Sequence, residues 1–151
     1  MDRQELLLHQ LFQTVRIIVK GLNLTFEPYQ LYSSEWAVIT TLKQTGPLSQ
    51  KALATYLNIE PPAISRTLSI LEKKGFIERT PGTDKREKNV SLSLQAIAQY
   101  PELLKISQKH RQAVLANLSD DQQASLQKLL NIVFANAQQF EFQTEQPRER
   151  R

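Results

Sequence analysis

One short segment of the chain carries polar residues whose types and spacing suit nucleic-acid recognition. The segment is "EPPAISRTLSILEKKG", residues 60–75. If it is helical, at about 100° per residue, Ile64, Leu68 and Leu71 form one apolar stripe. The opposite arc then carries small or basic residues: Pro62, Ser65, Arg66, Ser69 and Lys73. Short side chains let a backbone approach base edges, and arginine can bind guanine through two hydrogen bonds, so this arc predicts contact with a DNA major groove.

An ordinary solvent-exposed helix face explains the same arc equally well, because exposed helix faces are polar by default. The charge around the segment favours DNA. Residues 49–93 hold eight basic residues and five acids, so less than a third of the chain carries most of its net charge of +4. Three of the eight are Lys85, Arg86 and Lys88, which crowd one turn. Such a cationic tip suits a narrow minor groove, whose negative potential attracts arginine.

Three short helices and a hairpin are expected to position these residues. The first helix lies in "YSSEWAVITTLKQTG", with Ser33 as its expected N-cap, and Ser49 caps a second in "QKALATYL". The third begins at Pro61, where the N–H that proline lacks would be unpaired anyway. After Gly75 the apolar period changes from 3.6 to 2 in "FIERT" and "NVSLS", which predicts a β-hairpin joined by the polar loop "PGTDKREK". A short helix, a tight turn and a second helix form a helix-turn-helix arrangement.

Long amphipathic helices are predicted on both sides of this lobe. The first runs from Arg3 to Phe26, with apolar residues at three- and four-residue steps. Helical spacing returns from about residue 94 to 118, where Pro101 should kink the helix or mark its true start. The stretch "SDDQ", residues 119–122, is a capping box that opens a last helix. The predicted fold class is therefore mainly α with a small β-hairpin wing (α+β).

The whole chain, residues 1–151, is predicted to be a single domain. Within it we expect a winged helix-turn-helix lobe at 33–93, helical dimerisation regions at 1–30 and 94–142, and a charged, frayed tail at 143–151. An intramolecular core is the alternative use of the long helices. Their apolar stripes are wider than one small lobe can cover, so we favour an interface with a second copy.

Several function classes find no support in the composition. No cysteine is present, which excludes disulfides, thiolate nucleophiles and sulfur-ligated zinc. The two histidines, His9 and His110, are distant in sequence, and no metal-ligand spacing, Gly-rich phosphate loop or Ser-His-Asp pattern is present. We therefore expect neither an enzyme nor a cofactor or metal site. Polar residues interrupt the apolar stretch 6–26, so we expect no membrane partner and a cytoplasmic location.

The segment "LSQKALATYLNIEPPAISRTLSILEKKGFIERTPGTDKREKNVSLS" resembles the DNA-binding lobe of the multiple-antibiotic-resistance regulator (MarR) family. These are dimeric winged-helix repressors and activators. The most specific element is the Asp-x-Arg wing, here Asp84 and Arg86 in "DKR", together with "LEKKGFIER" ahead of it. The similarity extends over nearly the whole chain, to "LSDDQQASLQKLLNIV" near its end.

The resemblance implies roles for individual residues. Arg86 would enter the minor groove with Asp84 orienting its guanidinium, while Ser65, Arg66 and Ser69 would lie on the major groove. The complete predicted DNA-binding set comprises a recognition helix, a wing and two supporting backbone contacts: Pro62, Ser65, Arg66, Ser69 and Lys73; Asp84, Lys85, Arg86 and Lys88; and Ser49 and Lys51.

The sequence departs from the family's pattern at two places. Ser69 and Ile70 stand where the family often has an acid and a base, and Ile70 is interpreted as packing beside the wing. Ala96 stands where the family usually has glycine, at the bend into the fifth helix.

The resemblance further implies a homodimer that binds a pseudo-palindromic operator in double-stranded DNA, most simply as a repressor. It also implies release by a small aromatic or anionic effector bound between the dimer helices and the winged lobe. The residues themselves identify no effector. Six lie near that junction in the chain, but core packing or solvent exposure explains each at least as well: His9, Arg16, Lys20, Tyr29, Tyr32 and Trp36. A winged helix used for protein contact is the rival interpretation, and the wing charges distinguish the two.

Overall fold

The computed structural model describes residues 1–82 and 88–145 and divides into two compact units, Met1–Arg111 and Gln112–Arg151. Helices predominate and one small antiparallel sheet is present, which confirms the predicted fold class. In chain order the elements are α1 (Arg3–Phe26), a 3₁₀ turn (Glu27–Tyr29), α2 (Ser33–Thr45), β1 (Leu48–Ser49), α3 (Gln50–Leu57), α4 (Pro61–Lys73), β2 (Ile77–Pro81), β3 (Lys88–Leu92), α5 (Leu94–Val114) and α6 (Asp120–Glu145).

Two of the predicted helix caps are present. The Ser49 hydroxyl accepts a hydrogen bond from the Ala52 N–H (3.1 Å) at the start of α3. At the start of α6 the Gln122 N–H donates to the Ser119 hydroxyl (3.2 Å), and the Ser119 N–H donates to Gln122 Oε1 (2.9 Å). These reciprocal bonds satisfy donors that a helix start leaves unpaired, so the sequence located both starts correctly.

The cap of α2 differs from the prediction. Tyr32, and not Ser33, occupies the N-cap position. The Tyr32 N–H donates to Glu35 Oε2 (3.0 Å), and the Ser33 N–H donates to Asn23 Oδ1 of α1 (2.7 Å). Since a carboxylate and a neighbouring helix satisfy these donors, no serine hydroxyl is needed as a cap.

Helix α5 differs from the prediction in its limits. Pro101 lies inside α5, which begins at Leu94, so proline does not mark the helix start. The helix ends at Val114, and a turn follows in which Asn117 has φ 67°, a conformation that asparagine tolerates. Helix α6 continues to Glu145.

The sheet has three strands in the order β1-β3-β2. The predicted hairpin is present, one residue displaced at its strand ends: Ile77 pairs with Leu92, and Pro81 pairs with Lys88. Proline is tolerated there because β2 is an edge strand. Strand β1, which pairs Leu48 with Val90, was not predicted, because two residues are too short to show an alternating pattern.

The core of the first unit is built on one side of α4. Ile64, Leu68 and Leu71 are fully buried, as predicted, among apolar residues of α1, α2, α3 and β3. Each such side chain contributes about 1.5–3 kcal/mol of transfer free energy. The same core joins α1 and α2 to α5: the Trp36 ring lies 5.1 Å from the Phe26 ring and 5.5 Å from the Tyr100 ring. The orientation of α4 is therefore fixed by burial.

Ser93 ties α5 to the segment that follows α4. Its buried hydroxyl donates to the Gly75 carbonyl (2.6 Å) and accepts from the Ala96 N–H (3.1 Å). The Ser93 N–H donates to the Phe76 carbonyl (3.0 Å). Gly75 has φ +81°, which favours glycine. Ala96 is fully buried in the first turn of α5, so alanine fits where the family usually has glycine.

Among the described residues, no helix combines the length and apolar character that crossing a bilayer requires.

We expect Ser93→Ala to lower the free energy of unfolding by about 1–2 kcal/mol, because it removes both a helix cap and a buried hydrogen bond to the Gly75 carbonyl. Ser34→Ala is the control, since Ser34 is an exposed residue of α2. Urea unfolding of both variants at one protein concentration measures the difference. Equal stabilities would show that the Ser93 hydroxyl does not hold this junction.

Candidate functional site

The outer face of α4 presents the predicted recognition residues together. Pro62, Arg66, Ser69 and Lys73 are exposed and Ser65 is half-buried, while the opposite side of the helix is fully buried. Ile70, on the same helix, remains 45% exposed. The result is a helix face with a single guanidinium, two hydroxyls and one ammonium available to solvent.

The first turn of α4 has no free backbone N–H group to offer to a ligand such as a phosphate. Pro61 and Pro62 have no N–H, and the N–H groups of Ala63 and Ile64 both donate to the Glu60 carbonyl (3.0 and 3.1 Å). A helix start usually offers free N–H groups to a phosphate or carboxylate. Here such a contact has to come from side chains.

The predicted supporting residues, Ser49 and Lys51, lie at the start of α3, which packs against α4. Ser49 is half-buried, and its hydroxyl oxygen accepts one hydrogen bond as the α3 cap, which leaves its O–H hydrogen free to be donated. Lys51 is exposed in the first turn of α3. Lys88 is exposed at the start of β3. The other wing residues, Asp84, Lys85 and Arg86, lie outside the described residues.

Arg79 of β2 was given no role by the sequence, yet it links three elements. Its Nη1 donates to Gln50 Oε1 (3.3 Å) and its Nη2 donates to Ser69 Oγ (3.4 Å). Its Nε lies 3.3 Å from Glu72 Oε2 as an ion pair, without the alignment of a hydrogen bond. Arg79 follows the buried Ile77 by two residues, so strand alternation places it on the inward face. A basic residue at an inward position of a predicted strand was the sequence signal that could have indicated this linking role of Arg79.

A cavity of about 850 Å³ lies in the first unit between α1 and the segment that joins it to α2. Arg16 and Lys20, one helical turn apart on α1, and Lys74, which follows α4, are its basic lining residues. The full lining is apolar and cationic with one carboxylate: Val15, Arg16, Val19, Lys20, Asn23, Leu24, Glu27, Gln30, Leu31, Tyr32 and Lys74.

Lys74 also forms an ion pair with a buried carboxylate. Its Nζ lies 2.8 Å from Glu35 Oε1 and 3.0 Å from Glu35 Oε2, and it also donates to the Gln30 carbonyl. Glu35 is only 2% exposed, whereas the Lys74 side chain is 26% exposed. A buried carboxylate without a cation is strongly unfavourable, so this pair is required where it stands. Glu35 precedes the buried Ile39 by four residues, so the two share one face of α2. That spacing was the sequence signal that the Glu35 carboxylate would point into the core.

Of the six residues that the sequence placed near the junction of the long helices and the winged lobe, only some line the cavity. Arg16, Lys20 and Tyr32 line the cavity. Trp36 is buried, and its Nε1–H donates to Ser107 Oγ (3.2 Å). The Tyr29 hydroxyl donates to Glu102 Oε1 (2.9 Å), which raises the pKa of Tyr29. His9 is an exposed residue of α1 that does not line the cavity.

No group of His, Asp or Glu residues in the part of the chain that the structure describes could hold a metal ion.

Comparison with known sequences gives two matches of different kinds. The family model described as "MarR family" matches residues 31–88. The "Uncharacterized HTH-type transcriptional regulator YwoH" of Bacillus subtilis (strain 168) is 38% identical over 126 residues, which are 83% of this chain and 92% of that relative. The second match therefore spans more of the chain than the family model does.

Solved structures share the fold. A mutant MarR from E. coli in complex with operator DNA has a TM-score of 0.77 at 24% identity, covering 83% of this chain and 91% of that chain. The organohalide-sensing transcriptional regulator RdhR, in a form bound to 2,4-dichlorophenol, has a TM-score of 0.82 at 23% identity, covering 90% of this chain and 82% of that chain. At these identities the likeness concerns the fold alone.

We expect Lys74→Met to lower the free energy of unfolding by about 3 kcal/mol, because it leaves the Glu35 carboxylate buried without its cation. The double variant Glu35→Gln/Lys74→Met should recover part of that loss, since it removes both charges. Lys73→Met, at the exposed neighbouring lysine, should stay within about 0.5 kcal/mol of the unsubstituted protein. Denaturant unfolding measures all three. A double variant less stable than Lys74→Met would contradict the importance of the pair.

Proposed function

The chain belongs to the MarR family of transcriptional regulators, and on this premise we propose that it represses transcription by binding a pseudo-palindromic DNA operator as a homodimer. Members of the family are regulators, not enzymes. The observation that carries the proposal is the outer face of α4, where a fully buried inner side leaves Arg66, Ser65 and Ser69 directed outward.

Within this proposal α4 enters the major groove. Arg66 is the residue suited to read a base, because its planar guanidinium can bind both acceptors of a guanine edge. Ser65 and Ser69 are short enough to let the helix approach and can donate or accept. The structural similarity to a MarR protein in complex with operator DNA supports this docking.

Contacts to phosphates are assigned to the surrounding cations. Lys51, Lys73 and Lys88 are exposed in three different elements, and Arg86 with Lys85 is proposed to reach the adjacent minor groove as Asp84 orients the guanidinium. Phosphate contacts position a protein without reading sequence, and each contributes to the salt dependence of binding. Arg79 serves them indirectly, since it holds Ser69 of α4 and Gln50 of α3 against β2.

The proposed homodimer rests on the apolar residues that the long helices leave uncovered. Helix α6 has no buried residue, although Leu126, Leu129, Leu130 and Val133 recur at three- and four-residue steps along it. In α1, Leu8, Phe12 and Val15 are likewise exposed along one side. Monomeric proteins rarely expose continuous apolar surfaces of this kind, and an isologous two-fold interface would cover them. A symmetric dimer also presents two copies of α4 to a two-fold DNA site, about one helical turn apart.

We further propose that a small aromatic anion binds in the cavity and releases the DNA. Arg16, Lys20 and Lys74 supply positive charge, and Val15, Val19 and Leu24 supply apolar wall. Pockets of a few hundred Å³ with a few convergent polar groups are typical of small-ligand sites. The fold shared with a regulator crystallised with 2,4-dichlorophenol supports an aromatic ligand class.

We expect Arg66→Ala to weaken binding to the preferred operator by about 1–3 kcal/mol and to relax the base preference at one position in each half-site. Arg86→Ala should weaken binding to all sequences and reduce the dependence on salt. Lys105→Ala, at an exposed residue of α5, is the control. Titrations of selected and scrambled duplexes at two salt concentrations measure the effects. Wild-type protein that shows no sequence preference, with affinity unchanged by both arginine substitutions, would favour the protein-contact interpretation.

We expect Leu129→Lys to convert the dimer into a monomer, because it places an ammonium in the middle of the apolar stripe of α6. Gln138→Lys introduces the same charge on the same helix away from that stripe and should leave the dimer intact. Sedimentation velocity at micromolar concentration distinguishes the two states. A wild-type monomer that binds one operator tightly would contradict the proposed assembly.

A further inference from the structure

We propose that Lys74 transmits occupancy of the cavity to α4, because Lys74 lines the cavity while its ammonium is paired with the buried Glu35. The inference rests on the proposed function and assigns the regulation of that same DNA-binding face to a specific ion pair. In this mechanism an anionic ligand and the Glu35 carboxylate compete for one ammonium.

The backbone of Lys74 is part of the end of α4. It follows Lys73, the last helical residue, and its N–H donates to the Ile70 carbonyl (3.0 Å). A displacement of Lys74 therefore moves the last turn of α4, which carries Ile70 and Lys73 on the side facing solvent. Its side chain runs the other way, to α2 and to the segment after the 3₁₀ turn.

Three groups from that segment and α2 converge on the Lys74 ammonium. Both Glu35 oxygens lie within 3.0 Å, and the Gln30 carbonyl accepts a third hydrogen bond. The Tyr32 ring centroid lies 5.6 Å away, a distance typical of a cation–π contact. Glu35 in turn accepts from the Tyr32 N–H and so caps α2. The ion pair thus joins the end of α4 to the start of α2.

Lys74 also lines the cavity, together with Gln30, Leu31 and Tyr32. Arg16 and Lys20 reach the cavity from α1, and neither forms an ion pair among the described residues. A carboxylate drawn in by these two cations meets Lys74 as the third positive charge. Glu27 is the one acid of the lining, so the wall remains net positive and favours an anion.

Competition has a definite consequence for α4. If Lys74 turns to the ligand, Glu35 keeps only the Tyr32 N–H and is left buried without a cation. That arrangement is unfavourable, so the ligand-bound state favours a different position of the α2 start relative to the α4 end. The ligand therefore lowers the affinity of the protein for its operator. Because the two binding free energies are linked, the operator lowers the affinity for the ligand by the same factor.

The Glu35→Gln variant separates this mechanism from simple ligand binding. It keeps Lys74 available to the ligand but removes the carboxylate that loses its cation. We therefore expect the variant to bind an aromatic carboxylate more tightly than wild type and to change its operator affinity little on binding. Glu35→Gln/Lys74→Met, which buries no charge, is the second variant, and Lys105→Met is a control at an exposed lysine outside the cavity.

Benzoate is the probe, compared with chloride at constant ionic strength. Calorimetry measures benzoate binding and fluorescence anisotropy measures operator affinity. We expect saturating benzoate to weaken operator binding about tenfold for wild type and Lys105→Met, within the usual range of allosteric coupling. For Glu35→Gln and the double variant the change should be less than twofold.

Each result decides the proposal. A full tenfold change in Glu35→Gln would overturn it, because coupling would then not need the competing carboxylate. Failure of wild type to bind benzoate, or binding without any change in operator affinity, would overturn it as well while leaving DNA binding by the outer face of α4 intact. Failure of wild type to recognise any operator in the absence of benzoate is a separate result, which would remove the proposed function and this inference together.

Discussion

Complete burial of one side of α4 is the constraint on which the remaining features depend. Ile64, Leu68 and Leu71 have no exposed surface, and they belong to a core that includes residues of α1, α2, α3 and β3. A one-residue rotation of the helix would move all three toward solvent, at a cost of several kcal/mol. The direction of Arg66 and its neighbours is therefore a consequence of packing on the opposite side, and a change in the core can alter recognition without touching a recognition residue.

Two buried or half-buried basic side chains hold α4 at its flanks. Arg79 joins its middle to α3 and β2, through Ser69, Gln50 and Glu72. Lys74 joins its end to the start of α2 through Glu35. Apolar contacts are non-directional, whereas these polar contacts require particular geometry, so they select one position of the helix from those that the core would allow. Polar contacts of this kind can also be rearranged by a competing charge, which apolar packing cannot.

The sequence predicted those parts of the structure that arise from a repeated local pattern. The stripe of α4, the limits of α1, the Ser49 cap and the Ser119 capping box each depend on spacing within a few residues, and all are present. Features that depend on tertiary partners were missed. Strand β1 exists only through its pairing with β3, Tyr32 replaces Ser33 as a cap because Asn23 and Glu35 supply acceptors, and Lys74 gains its role only beside Glu35. The outward residues of α4 were found, but Arg79 was counted only as one of several charges.

The paired prolines at the start of α4 bear on how such a helix could diversify. With no backbone donor left over in its first turn, no sequence-independent contact from that turn fixes the depth or register of the helix against a binding surface. Register would then be set by replaceable side chains, so substitutions at positions 65, 66 and 69 could shift the preferred target gradually while the core stays unchanged. A scaffold of this kind separates the evolution of specificity from the maintenance of the fold.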